Sequence, residues 1–144
     1  MNKLISKFAI LTFGFLTILT FNQAISGQFC GTKPPKSVSQ KVWTLTQING
    51  ESINTDKATI SLDFDKNRVG GKGGCNGFGG TLEKNGDEIK ISQIISTKMF
   101  CEEGSDVENK YLSTLEKVTK YQINGGKLQM LNGDTIVLEF ALKN

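Results

Sequence analysis

Cys75 sits inside Gly70–Gly80, an eleven-residue run with seven glycines (GGKGGCNGFGG), and Cys101 closes the segment Ile95-Ser-Thr-Lys-Met-Phe-Cys. Two such thiols could bond to each other, bind a metal ion, or supply a nucleophilic thiolate. The chain has no histidine. That absence removes the Ser-His-Asp and Cys-His arrangements, histidine-bearing zinc sites and the usual general base near neutral pH. Cys30, Cys75 and Cys101 are far apart in sequence and form no Cys-x-x-Cys pair, so no metal site is expected. A chain delivered to an oxidising compartment pairs its thiols, and a Cys75–Cys101 disulfide is the reading this favours. The alternative is a reactive thiolate at Cys75, set among backbone amides of a glycine-rich nest.

The glycine run does not read as a phosphate loop. A P-loop needs Gly-Lys-Ser/Thr opening a helix, whereas Lys72 is followed by Gly73 and strand-forming residues come next. A wide bend or bulge between two strands is expected instead. Trp43 and Tyr111 read as core anchors rather than a ligand-stacking pair, because aromatics dominate the apolar area of small cores. Met99-Phe100 could form an apolar lip. Asp63, Asp65, Glu102 and Glu103 read as solvent-facing carboxylates without a matched partner for acid–base work. Cys30 is left over: it is either a lipidated cysteine, and so a membrane tether, or an unpaired thiol. The Gly27-Gln28-Phe29 ahead of it fits lipidation poorly.

Positioning these residues falls to a short chain of elements. Lys3 and Lys7 flank an apolar run from Phe8 to Phe21, too short for a membrane-crossing helix, with small residues at Ala24 and Ser26. Residues 1–26 read as a signal peptide. The 118 residues that follow suffice for one domain. Without Lys3 and Lys7 the 17 basic residues fall to 15 against 14 acidic ones, which offers no stripe for nucleic acid. Residues 27–41, rich in Ser and Lys with Pro34-Pro35, read as a flexible tether outside the fold. From Val42 on, runs of period-two character alternate with Asn-Gly at 49–50, 85–86, 124–125 and 132–133. Asn-Gly suits type I′ hairpin turns, so the pattern predicts strands over 42–48, 59–65, 68–72, 78–84, 88–92, 119–123, 127–131 and 135–142. The fold class is mainly β: a small antiparallel barrel-like sheet with one amphipathic helix packed on it. The helix is predicted over 106–118, opened by a Ser105/Glu108 capping box, with Val107, Tyr111, Leu112, Leu115 and Val118 on its apolar stripe.

Several of these residues together resemble a known family. Trp43-Thr-Leu45, Ile60-x-Leu62-x-Phe64, Gly73-Gly74-Cys75-Asn76-x-Phe78-x-Gly80, Ser96-Thr97-x-Met99-x-Cys101 and Glu108-x-x-Tyr111-Leu112-x-x-Leu115 are similar to the META/HslJ domain in order and spacing, over residues 42–144. Phe100 departs from the small residue often found between that Met and Cys. The resemblance implies a small β-barrel-like domain in exported proteins of the bacterial periplasm or envelope, linked to stress response, with no cofactor and no established enzymatic activity. The expected function is non-enzymatic binding, as a monomer, of an envelope protein or an apolar small molecule. The alternative is a thiol-based redox sensor or enzyme using Cys75 or Cys30.

Overall fold

The alternation that begins at Trp43 carries into a strand whose inward residues are Trp43, Leu45 and Ile48. Ile48 points inward although the period of two would send it out. The register against the last strand shifts between Leu45 and Gln47, and this bulge turns the later residue back to the core. A computed structural model describes residues 38–101 and 104–143 of the chain. Its elements are β1 (Val42–Ile48), β2 (Glu51–Ser52), β3 (Thr59–Asp63), β4 (Arg68–Lys72), β5 (Gly77–Asn85), β6 (Glu88–Ser96), α1 (Ser105–Leu115), β7 (Lys120–Asn124), β8 (Lys127–Asn132) and β9 (Thr135–Leu142).

The nine strands form one antiparallel sheet in the order β2-β1-β3-β4-β5-β6-β7-β8-β9, and β9 also pairs with β1. The sheet thus closes into a barrel-like ring. It is not a regular barrel, because β6 and β7 share the single pair Glu88↔Lys120 and α1 lies in the connection between them. Leu45, Ile60, Leu62, Leu82, Leu128, Met130, Leu138 and Phe140 fill the inside. Tyr111 and Leu115 of α1 are fully buried with them. The Tyr111 ring meets Phe78 and Phe140 edge-on at 5.7 and 5.9 Å, and its hydroxyl donates to the Thr59 carbonyl at 3.3 Å. An ion pair between Lys110 and Glu51 joins α1 to β2.

The mainly β class with one helix agrees with the sequence reading, and four details differ. First, residues 38–41 do not belong to a loose tether. Val38 is fully buried, the Gln40 amide donates to the Leu62 carbonyl at 3.0 Å, Ser39 bridges Leu62, and the Trp43 indole donates to the Val38 carbonyl at 3.5 Å. The domain therefore begins at or before Val38. The leader, residues 27–37, Cys30, Glu102 and Glu103 lie outside the described residues.

Second, the Ser105/Glu108 capping box is absent. Gly104, at φ 92°, occupies the N-cap without a side-chain bond, Ser105 Oγ turns to the Cys101 carbonyl at 3.4 Å, and Glu108 reaches away to another loop. Third, α1 ends at Leu115; Val118 is buried, but in the turn segment that follows the helix. Fourth, only Asn49-Gly50 places both residues at positive φ in the centre of its turn (49° and 81°). Asn85, Asn124 and Asn132 end their strands, and the turns are made by Gly86-Asp87, Gly125-Gly126 and Gly133-Asp134.

Candidate functional site

The glycine run folds into both strands of the β4–β5 pair and the four-residue loop 73–76 between them, closed by Gly73 N–H to the Asn76 carbonyl at 2.8 Å. Glycine is a steric requirement at two points here. A Cβ on Gly71 would stand 2.1 Å from the Thr59 carbonyl oxygen, and one on Gly73 would stand 2.5 Å from Cγ of Glu108. The loop is bare because a helix side chain passes directly over it.

That side chain is Glu108, only 6% exposed. Its Oε2 accepts the backbone N–H groups of Asn76 (2.6 Å) and Cys75 (3.2 Å), and its Oε1 accepts Nδ2 of Asn76 (3.0 Å). A buried carboxylate is costly unless its lone pairs are filled, and three donors fill them without a cation. Asn76, itself buried, faces both ways: its Oδ1 accepts the Met99 N–H at 2.7 Å and the Thr97 hydroxyl at 3.0 Å. Cys75 is bonded to Cys101 with Cα atoms 6.2 Å apart, within the ordinary disulfide range. Three separate segments, the glycine loop, the stretch after β6 and the first turn of α1, are thus tied at one corner by Asn76, Glu108 and the disulfide.

The residues singled out in the sequence divide cleanly. Gly73, Cys75, Asn76, Thr97, Cys101 and Glu108 meet in this clamp, with Gly74 packed against the Gly104 carbonyl beside it. Trp43, Phe78 and Leu115 are core residues, Leu112 is half-buried, and a Cβ on Gly80 would crowd the Ser92 carbonyl at 3.0 Å. Met99 lends its backbone to the clamp while its side chain is 65% exposed, next to Phe100 at 92%. With Ile95, at 75%, they are the most exposed large apolar side chains among the described residues. Glu108 as a buried loop anchor was not foreseen. Its signal was its place three residues before Tyr111 and seven before Leu115, on the face that enters the core.

Two clefts lie near these residues. One, about 500 Å³, runs between Asn54–Lys57, Gly74, Gly104 and Val107. The other, about 790 Å³, crosses the outer face of β3 to β6 over Gly70, Gly79 and Gly80, with Asp63, Arg68, Gln93 and Ile95 among its walls. Both are open, with polar and apolar lining mixed. Among the described residues, no three of the Cys, Asp and Glu side chains gather as metal ligands.

A small antiparallel β ring with one helix docked into it, its corner pinned by a disulfide, is the class of protein this geometry defines. The META domain family model matches residues 36–144, and the chain belongs to that family. Three solved structures share the fold at low identity. An NMR structure of a protein from Burkholderia xenovorans is 18% identical with a TM-score of 0.57, covering 74% of this chain and 84% of that one. A second NMR structure is 19% identical with a TM-score of 0.57, covering 75% and 94%. The crystal structure of a DUF4847 family protein from Bacteroides vulgatus ATCC 8482 is 18% identical with a TM-score of 0.53, covering 72% and 93%. No curated protein matches the chain significantly.

Proposed function

We propose that the chain is exported to the cell envelope and acts there, in stress tolerance, by binding a protein partner without catalytic turnover. One observation carries this reading: the polar atoms of the residues best placed for chemistry are spent on one another. A nucleophile needs a base within hydrogen-bond reach. Here Cys75 is held by Cys101, and the nearby carboxylate of Glu108 is filled by three donors. The thiol-based alternative would have to break that bond first, or use Cys30. A protein partner is favoured over an apolar cargo because core side chains fill the ring, while Ile95, Met99 and Phe100 project outward; exposed apolar clusters mark contact surfaces.

Photocrosslinking in cells from position 100, with position 90 as control, tests this. A defined adduct at 100 and none at 90 is expected, together with recovery of the shortened chain from the envelope fraction. Native mass spectrometry showing a stoichiometric lipid would move the reading to an apolar cargo. Turnover lost in Cys75→Ser would overturn it.

A further inference from the structure

Asn76 Nδ2 donates to Glu108 Oε1 at 3.0 Å and to Cys75 Sγ at 3.3 Å, so a single amide group stands between a disulfide sulfur and a buried carboxylate, whose charge disfavours an anion on that sulfur. The Asn76 N–H on the sulfur and the start of α1 act in the opposite sense. Gly104 packs on Gly74 and the Cys75 amide, and a helix N-terminus carries about half a positive charge. The Asn76 donor is neutral, and a whole negative charge outweighs half a positive one. Other charged groups around this corner are Lys72 at the end of β4, Asp56 and Lys57 across the cleft, Asp106 in the first helical turn and Lys98 beside Met99. Among the described residues none of these bonds to the sulfur, and Glu102 and Glu103 follow Cys101 in sequence.

We propose that Glu108 is a positioning residue for the disulfide, disfavouring a thiolate at Cys75 and so making the Cys75–Cys101 bond slow to exchange and, at alkaline pH, hard to reduce. In exchange with glutathione, one glutathione thiolate attacks a sulfur and releases the other cysteine as thiolate, leaving a mixed disulfide. A second glutathione thiolate then releases the remaining cysteine and departs as glutathione disulfide, with two electrons passed to the protein and two protons ending on its thiols. A carboxylate beside Cys75 raises the energy of the released anion and so slows its release, and it opposes reduction at equilibrium where the pH is high enough for the product to stay ionised.

The test uses the full chain with Cys30→Ser, so that only one thiol pair reports. Wild-type Glu108 and Glu108→Gln proteins are equilibrated in glutathione buffers, acid-quenched, and their thiols counted by mass. Glutamine keeps an oxygen for the Cys75 and Asn76 N–H groups but removes the charge. At about pH 7, where the released thiols are protonated, the two equilibrium constants for reduction should agree; at about pH 9.5, where a free thiol is ionised, the constant for Glu108→Gln is expected to be about tenfold larger, which for a two-electron couple is about 30 mV. The second measurement does not need that variant to fold. In Cys30→Ser/Cys101→Ser protein with native Trp43 fluorescence, Cys75 alkylation followed against pH should reach half-maximum above the roughly 8.5 of a free cysteine. A midpoint at or below that value, or equal reduction constants at about pH 9.5 in a folded Glu108→Gln protein, overturns the proposal.

Discussion

Asn76 does more for this fold than any residue of its size, because both ends of one amide are used and both are buried. Replacing it with alanine strands the Met99 amide and one side of Glu108. Asn76→Ala is expected to lower the unfolding free energy by about 2 to 4 kcal/mol in urea titrations, from the cost of unpaired buried groups. A loss under about 0.5 kcal/mol would show the clamp to be ornamental. The two tyrosines make a second test. Burial holds the Tyr111 hydroxyl well above its usual 10, and burial with the nearby Asp87 raises that of Tyr121. Such raised groups stabilise the fold below pH 10, and that contribution is lost as pH climbs toward their folded values. Tyrosinate absorbance is therefore expected to appear above the usual 10, that of Tyr111 only with unfolding; a folded protein in which both tyrosines titrate near pH 10 would contradict it. The sequence made the pairing of Cys75 with Cys101 legible, since an expected export, the odd thiol count and the positions of the family motif together pointed to these two of the three cysteines. It hid Glu108, because a glutamate three residues after a serine at a helix start reads locally as a cap, and only the glycine loop arriving from elsewhere gives its carboxylate a better use.

Among the elements, α1 was legible in position but rotated in detail. Its buried face is Glu108, Tyr111, Thr114 and Leu115, with Leu112 at the margin. Leu115→Ala should cost about 2 to 5 kcal/mol and Leu112→Ala clearly less, measured by thermal or denaturant unfolding. The end of β6 was harder to read: Ile94-Ile95 breaks the alternation, because the register against β5 shifts there and Gln93 takes a positive φ of 53°. On β8 and β9, Gln129 and Lys127 donate to Glu139 at 2.8 and 2.7 Å, and Gln122 donates to Gln129 at 2.9 Å. The Lys127 and Gln129 hydrogen bonds hold the Glu139 carboxyl below its usual 4.5, against a smaller opposing effect of burial. A lowered carboxyl stabilises the fold above that value and ceases to as pH falls through its folded one. The stability gap between wild type and Lys127→Ala should accordingly be present at pH 6 and shrink below about pH 4; a constant gap would mean the pair contributes no charge interaction.

At the scale of the molecule, the domain is longer at its start than its composition suggests. Val38 is an isolated apolar residue among Ser, Lys and Gln, with no periodic neighbour to announce it, yet it lies wholly inside. Val38→Ala is expected to lower stability by about 1.5 to 3 kcal/mol, and a chain starting at residue 42 should melt several degrees lower than one starting at 36. Identical melting would return this stretch to the role of a tether. Removing the disulfide opens a loop spanning 26 residues of separation, worth about 3 to 4 kcal/mol in the chain-entropy model. Its reduction should lower the melting temperature without dispersing the core, which the other strands share.

The pairing of β9 with β1 also sets a timetable. Thr46 donates to the Glu139 carbonyl across 93 residues, and every bond that seals the ring on this side waits for the last ten residues of the chain. Contacts so distant in sequence are made late. A ribosome or a membrane channel holding the C-terminal end would keep β1 and β8 each with an open edge, so the chain can be delivered while still unlocked and becomes a finished ring only on release.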